Sequence, residues 1–180
     1  MPRSSSQALL LVDGYNIVGA WSTLKQTRDQ HGLEAARQEL IEILINYSAF
    51  RDYKTELVFD AQYRNSPHFR DRQTAHLSVY YTAFAETADT YIEKVCANFQ
   101  RQCSSRRLIV ATSDRAQQLM VIGYGAEWMS ALQLEGEVAI TARQRRRKHR
   151  PQKQSRGRFL ANSLDAKARQ RLAQWRHGIR

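Results

Sequence analysis

Short apolar runs that stop at acids set the pattern of this chain. The first, Ala8-Leu9-Leu10-Leu11-Val12, ends at Asp13-Gly14. A run this brief, without polar alternation, predicts a strand buried on both faces. Thr55 to Phe59 is a second such run and ends at Asp60, and Leu108 to Ala111 is a third, ending at Thr112-Ser113-Asp114. LSVYYTA (77–83) predicts another strand, leading into Glu86-Thr87-Ala88-Asp89, and residues 127–129 predict a short fifth. Helical stripes fall between them. Leu33, Ala36, Leu40, Leu44 and Tyr47 predict a helix over 33–50. Ile92, Val95, Cys96 and Phe99 give a buried face to a helix that opens at Glu86 and runs to about Arg101. A further helix follows Asp114 through Met120, and Ser130 caps another that runs into a basic stretch. Residues 61–75 are polar, contain Pro67, and read as a long loop of the kind that is often functional. Leu160, Leu164, Ala168, Leu172 and Trp175 fit one face of a last helix, expected to dock back on the domain.

Strands alternating with helices predict α/β layers around a mainly parallel sheet of four to five strands. Right-handed crossovers place the strands' carboxyl ends on one edge, where such sheets bind ligands. Gly14 is read there as a residue that relieves a strained turn. The expected organisation is a domain over 1–142, a basic segment over 143–158 and a helix over 159–180.

That edge collects Asp13, Asp60 and Asp114, together with Glu86, Asp89 and Glu93, which share a face if all three are helical. Two carboxylates about 4 Å apart repel by roughly 4 kcal/mol at an effective dielectric near 20. Either their pKa values rise or a cation neutralises them. An all-oxygen set suits a hard divalent ion, Mg²⁺ or Mn²⁺, which supports phosphodiester hydrolysis. Each acid alone is equally well a helix cap or turn former; four strands ending in acid on one inferred edge favour the metal site. Asn16 serves a turn or orients Asp13 or a water, Asp60 and Ser113 stand behind the ligands, and Glu93 is the weakest member.

Composition narrows the partner. A net charge of +11 points to a polyanion, most simply nucleic acid. Nine of the 28 Lys and Arg, and no acid, lie between Arg143 and Arg158, so the body of the chain is nearly balanced. Arg143, Arg145, Arg146, Arg147, Lys148 and Arg150 are candidate phosphate contacts. Arg64, Arg70 and Arg72, with Tyr63 and Phe69, suit stacked single-stranded bases. Phosphate-loop, dinucleotide and nucleophile-elbow patterns are missing, and the five histidines have no zinc spacing. Cys96 and Cys103 form no metal-spaced pair, which fits a reduced, cytoplasmic setting (or a plastid stroma), and no apolar run is long enough for a membrane span.

LLLVDGYNIVGAW, LVFDA, FAETADTYIEK, IVATSD and MSALQLEGEV, in this order, resemble the YacP-like branch of the NYN-domain family. The likeness runs from about Leu9 to Arg147 and extends to the closing LDAKARQRLAQWRHG. It implies a PIN-like α/β/α sandwich whose acidic pocket binds a divalent metal and cleaves RNA with water. The family includes a ribosome-dependent endoribonuclease of mRNA decay. Carried over by motif, its acids fall on Asp13, Asp89 and Asp114, with Glu86 in the ETAD motif as a further ligand and Asn16 in DGYN. The expected function is a metal-dependent endoribonuclease acting on mRNA with the ribosome, leaving 5′-phosphate and 3′-hydroxyl ends. The alternative is a non-catalytic RNA- or ribosome-binding module of the same fold. Deleting residues 143–158 is expected to flatten the dependence of RNA affinity on salt, by roughly 0.7 in log–log slope for each phosphate that the segment neutralises. An unchanged slope in a salt titration would put the phosphate-binding groups elsewhere.

Overall fold

A computed structural model describes residues 7–60, 68–102 and 106–148. Among them are six strands, β1 (Leu9–Asp13), β2 (Lys54–Phe59), β3 (Phe69–Arg72), β4 (Leu77–Tyr81), β5 (Leu108–Ala111) and β6 (Glu127–Met129). Six helices accompany them, α1 (Gly14–Ala20), α2 (Ser22–His31), α3 (Leu33–Arg51), α4 (Ala88–Arg101), α5 (Arg115–Gly123) and α6 (Ala131–Lys148). The strands form one sheet in the order β3-β4-β2-β1-β5-β6, parallel throughout except for β3. The sheet therefore has six strands rather than the expected four to five.

Both faces of the sheet are covered, which is why its central strands read as unbroken apolar runs. On one face Leu10, Val12, Leu57, Phe59, Val79 and Ile109 pack with Ile17, Trp21, Leu24, Leu40 and Leu44 from α1 to α3 and Leu134 from α6. On the other, Leu11, Val58, Tyr80 and Val110 pack with Ile92 and Cys96 of α4 and Val121 of α5. Successive residues of β1 thus feed different cores, as the period of two demands.

Several expectations need correction. Residues 69–72 are a strand, not loop; FRDR pairs antiparallel on the outer edge of β4, where one exposed flank allows a polar composition. Residues 61–67, with Arg64, lie outside the described residues. The strand predicted over 77–83 ends at Tyr81. The short helices α1 and α2 between Asp13 and Leu33 carry no clear apolar stripe; α2 buries only Leu24. Gly14 is not needed for its backbone angles. It is needed for proximity, because a Cβ there would collide with the Phe59 ring.

The chain divides into two compact units, Met1–Arg143 and Gln144–Arg180, and of the second only 144–148, the end of α6, is described. The helix expected over 160–175 lies outside the described residues. Among the described residues no helix is long and apolar enough to cross a membrane. Gly14→Ala is expected to cost about 1–3 kcal/mol in urea unfolding, the usual penalty of overpacking. Adding Phe59→Leu should return part of that loss, whereas strictly additive losses would contradict the contact.

Candidate functional site

Strand β1 is central, paired with β2 on one side and β5 on the other, so the sheet changes winding direction beside it. The crevice beyond the carboxyl ends at such a switch point is the usual ligand site of an open α/β sheet. Asp13 closes β1 at this place, and Asp114 follows β5. Asp60 follows β2, and Asp89 stands in the first turn of α4.

Hydrogen bonds link these acids into one rim. Asp13 Oδ1 accepts from the Asn16 backbone N–H at 3.2 Å and caps α1. Asn16 Oδ1 accepts from the Ser113 N–H at 2.7 Å, tying the β1 turn to the β5 turn. Asp114 Oδ1 caps α5 by accepting from the Gln117 N–H at 2.9 Å. The Gln117 side chain then donates through Nε2 to Asp89 Oδ1. Asp60 Oδ1 accepts from the Ala88 N–H at the start of α4. Three helix N-termini therefore meet four carboxylates, and their partial positive charge offsets part of the repulsion. Ser113 Oγ accepts from the Ala131 N–H at 3.1 Å and so anchors α6 behind the rim.

The offset is incomplete. Asp13, only 8% exposed, has its carboxyl pushed up to about 6. Burial is the largest cause; the Asn16 N–H opposes it, and the charges of Asp89, Asp60 and Asp114 add to it. Burial also raises Asp89, helped by Asp114 and Asp60. Asp60 is raised by burial against the Ala88 N–H. No ion pair among the described residues involves any of the four. One oxygen of each accepts from an N–H, while Oδ2 has no partner among the described residues. As placed, no three His, Cys, Asp or Glu among the described residues close around an ion. The donor set is nonetheless that of a hard cation: four carboxylates with unshared oxygens and no neutralising base among the described residues.

Two acids expected in this set are elsewhere. Glu86 precedes α4, whose cap is Thr87, so it does not share the Asp89 face. Its Oε1 accepts from Lys94 Nζ at 2.8 Å, and that bond holds its carboxyl below the usual range. Glu93 lies on α4 and accepts from the Tyr124 hydroxyl at 3.3 Å, beside the far end of α5. Gln117 was missed by sequence reasoning; its place three residues after a capping acid points back to the cap, not across to Asp89.

The basic candidates are also partly engaged. Arg70 donates to Glu56 Oε1 at 2.9 Å and to the Tyr91 hydroxyl at 3.0 Å, and lies over the Tyr80 ring. Arg72 Nε donates to the Thr74 carbonyl at 3.3 Å. Arg143, Arg146 and Arg147 are exposed and Arg145 is half-buried on the last turns of α6, which Lys148 ends. Arg150 lies outside the described residues.

The Asp13 shift carries a sign that can be measured. Below pH 3.8 the group is protonated in both states and contributes nothing. Between pH 3.8 and about 6 the folded protein keeps a proton that the unfolded chain has lost, so stability falls as pH rises. Above pH 6 the full cost is present, about 3 kcal/mol. Asn retains the cap without the charge. In metal-free buffer Asp13→Asn should therefore raise the melting temperature at pH 7.5, and the gain should vanish near pH 4. A lower melting temperature at pH 7.5 would show that the charge is not the burden.

Residues 10–177 match the family model of the YacP-like NYN domain. The chain is 36% identical over 143 residues to the protein YacP of Bacillus subtilis strain 168, covering 79% of this chain and 81% of that one. The crystal structure of Rae1 (YacP) from Bacillus subtilis superposes with a TM-score of 0.66 at 31% identity, over 96% of both chains. That of a point mutant of Rae1 (YacP) gives 0.67 at 29% identity, over 94% of this chain and 99% of that one. The α/β/α layers around a mostly parallel sheet are those of the PIN-like NYN fold, and the chain belongs to the YacP-like NYN-domain family.

Proposed function

We propose that this protein is a divalent-metal-dependent endoribonuclease, acting on messenger RNA in association with the ribosome. The observation that carries the reading is the meeting of Asp13, Asp60, Asp89 and Asp114 at the switch point, with no lysine or arginine paired to any of them among the described residues. The family supports a nuclease-like, RNA-related role. The net charge of +11 supports a polyanionic substrate.

Asp13, Asp89 and Asp114 are the proposed ligands of Mg²⁺ or Mn²⁺, each offering the oxygen that its capping or amide bond leaves over. When bound, such an ion makes water a stronger nucleophile and takes up charge on a phosphoryl oxygen. Asn16 holds the β1 and β5 turns at one spacing, so Asp13 and Asp114 face the crevice together. Asp60 pins the start of α4, and with it Asp89, against the rim. Glu86 is left out of the ligand set because Lys94 already neutralises it. In-line attack of water with departure of the 3′ oxygen gives 5′-phosphate and 3′-hydroxyl ends. The arginines ending α6 supply phosphate contacts that carry little sequence information.

Single-stranded RNA, naked or ribosome-bound, should be cut with Mg²⁺ or Mn²⁺ and left intact with chelator. Asp89→Asn should slow cleavage on the order of 10²–10³-fold while RNA affinity measured in chelator stays the same. No cleavage under any of these conditions would remove the enzyme reading and leave an RNA-binding module. An equal fall in affinity would make Asp89 architectural.

A further inference from the structure

Gln117 presents a deeply buried amide to the acid rim, at 3% exposure. Its carboxamide is only half satisfied. Nε2 donates to Asp89 Oδ1, while Oε1 is buried with no hydrogen-bond partner among the described residues. Leaving a buried amide oxygen unpaired is costly, and a glutamine at this position has an easier alternative. Three residues after a capping acid, its side chain ordinarily folds back to the cap's own N–H. Here the Asp114 N–H donates instead to Thr112 Oγ1 at 3.1 Å, and Gln117 reaches across to α4. Reversing the amide would set Oε1 against the Asp89 carboxylate. Asp89 therefore fixes the orientation, and Oε1, on the same planar group, lies beside that carboxylate. An atom this enclosed is closed to a nucleotide, and the donor that would satisfy it is no larger than a water. Mg²⁺ gives up its water reluctantly and carries several when bound to one or two carboxylates.

We infer that Gln117 is a positioning residue of the cation site: Nε2 fixes the Asp89 carboxylate, and Oε1 accepts a hydrogen bond from a water of the cation's hydration shell. The inference rests on the metal-dependent reading above and adds a residue that no motif assigned.

The test is calorimetric titration of the full chain with Mn²⁺, alongside melting in chelator, for the unaltered protein, Gln117→Met and Gln117→Glu. Met keeps the length and removes both polar atoms. It should bind Mn²⁺ about 10- to 100-fold more weakly, with a melting temperature in chelator that does not fall. Glu keeps an acceptor but sets a second negative charge against Asp89. It should melt lower in chelator and gain more from Mn²⁺ than the unaltered protein does. A purely structural glutamine predicts lower melting for both variants with Mn²⁺ affinity unaltered, and that result overturns the inference. If Met does not fold, Glu decides: a Mn²⁺-induced rise no larger than that of the unaltered protein also overturns it. Failure of the unaltered protein to bind Mn²⁺ would remove the metal reading as well, whereas normal binding by Gln117→Met removes Gln117 alone.

Discussion

Negative charge with no neutralising base among the described residues, collected where the sheet changes winding direction, is the constraint on which the rest of this fold depends. Repulsion among Asp13, Asp60, Asp89 and Asp114 is met by dipoles instead of cations. Each acid takes an N–H at or near a helix start: Asn16 in α1, Ala88 in α4, Gln117 in α5, and the Gln117 amide for Asp89. Contributions of that kind are about 0.3–1 kcal/mol each at exposed helix ends. They do not offset the burial of Asp13, whose carboxyl still sits near 6. The site is thus least favourable to the fold in the pH range where ionised carboxylates would serve a cation best.

Packing makes that arrangement rigid. Trp21 Nε1 donates to the Ala131 carbonyl at 2.7 Å in the core, and Ser113 Oγ holds the Ala131 N–H from the rim side. The first turn of α6 is therefore bound to both the β1 and β5 segments. The Phe59 ring lies directly against Gly14, so the end of β2 packs on the start of α1 with no room for a side chain between them. Trp128 Nε1 donates to the Thr112 carbonyl at 2.9 Å, fixing the residue just before Ser113 and Asp114. Loops that carry charge are held here by backbone bonds from elements buried on both faces.

How much of this could be read from the chain depended on burial. β1, β2 and β5 were legible because strands covered on both faces leave unbroken apolar runs, LLLV, LVF and LIVA. Leu33 to Arg51 was legible because α3 buries the stripe from Ala36 to Tyr47, although Leu33 at its start is exposed. α1 and α2 were not: Gly14 and Gly19 interrupt the first, and the second buries Leu24 alone. β3 was hidden because an edge strand needs pairing on only one side, so FRDR carries no apolar signal. At the rim, Asp13, Asp60 and Asp114 stand where the ends of β1, β2 and β5 put them. Glu86 does not join them, because the helix begins two residues later than the ETAD motif suggests and Lys94, on the next turns, captures the carboxylate. The reach of Gln117 from α5 to α4 is a tertiary contact, and no local pattern encodes it.

The most direct test of the central claim is anomalous diffraction from crystals of the protein grown with Mn²⁺ and collected at the manganese edge. An anomalous peak enclosed by the Asp13, Asp89 and Asp114 carboxylates, with Glu86 still on Lys94, is the predicted result. Crystals that show no peak at that rim, or manganese bound only at other carboxylates, would contradict it.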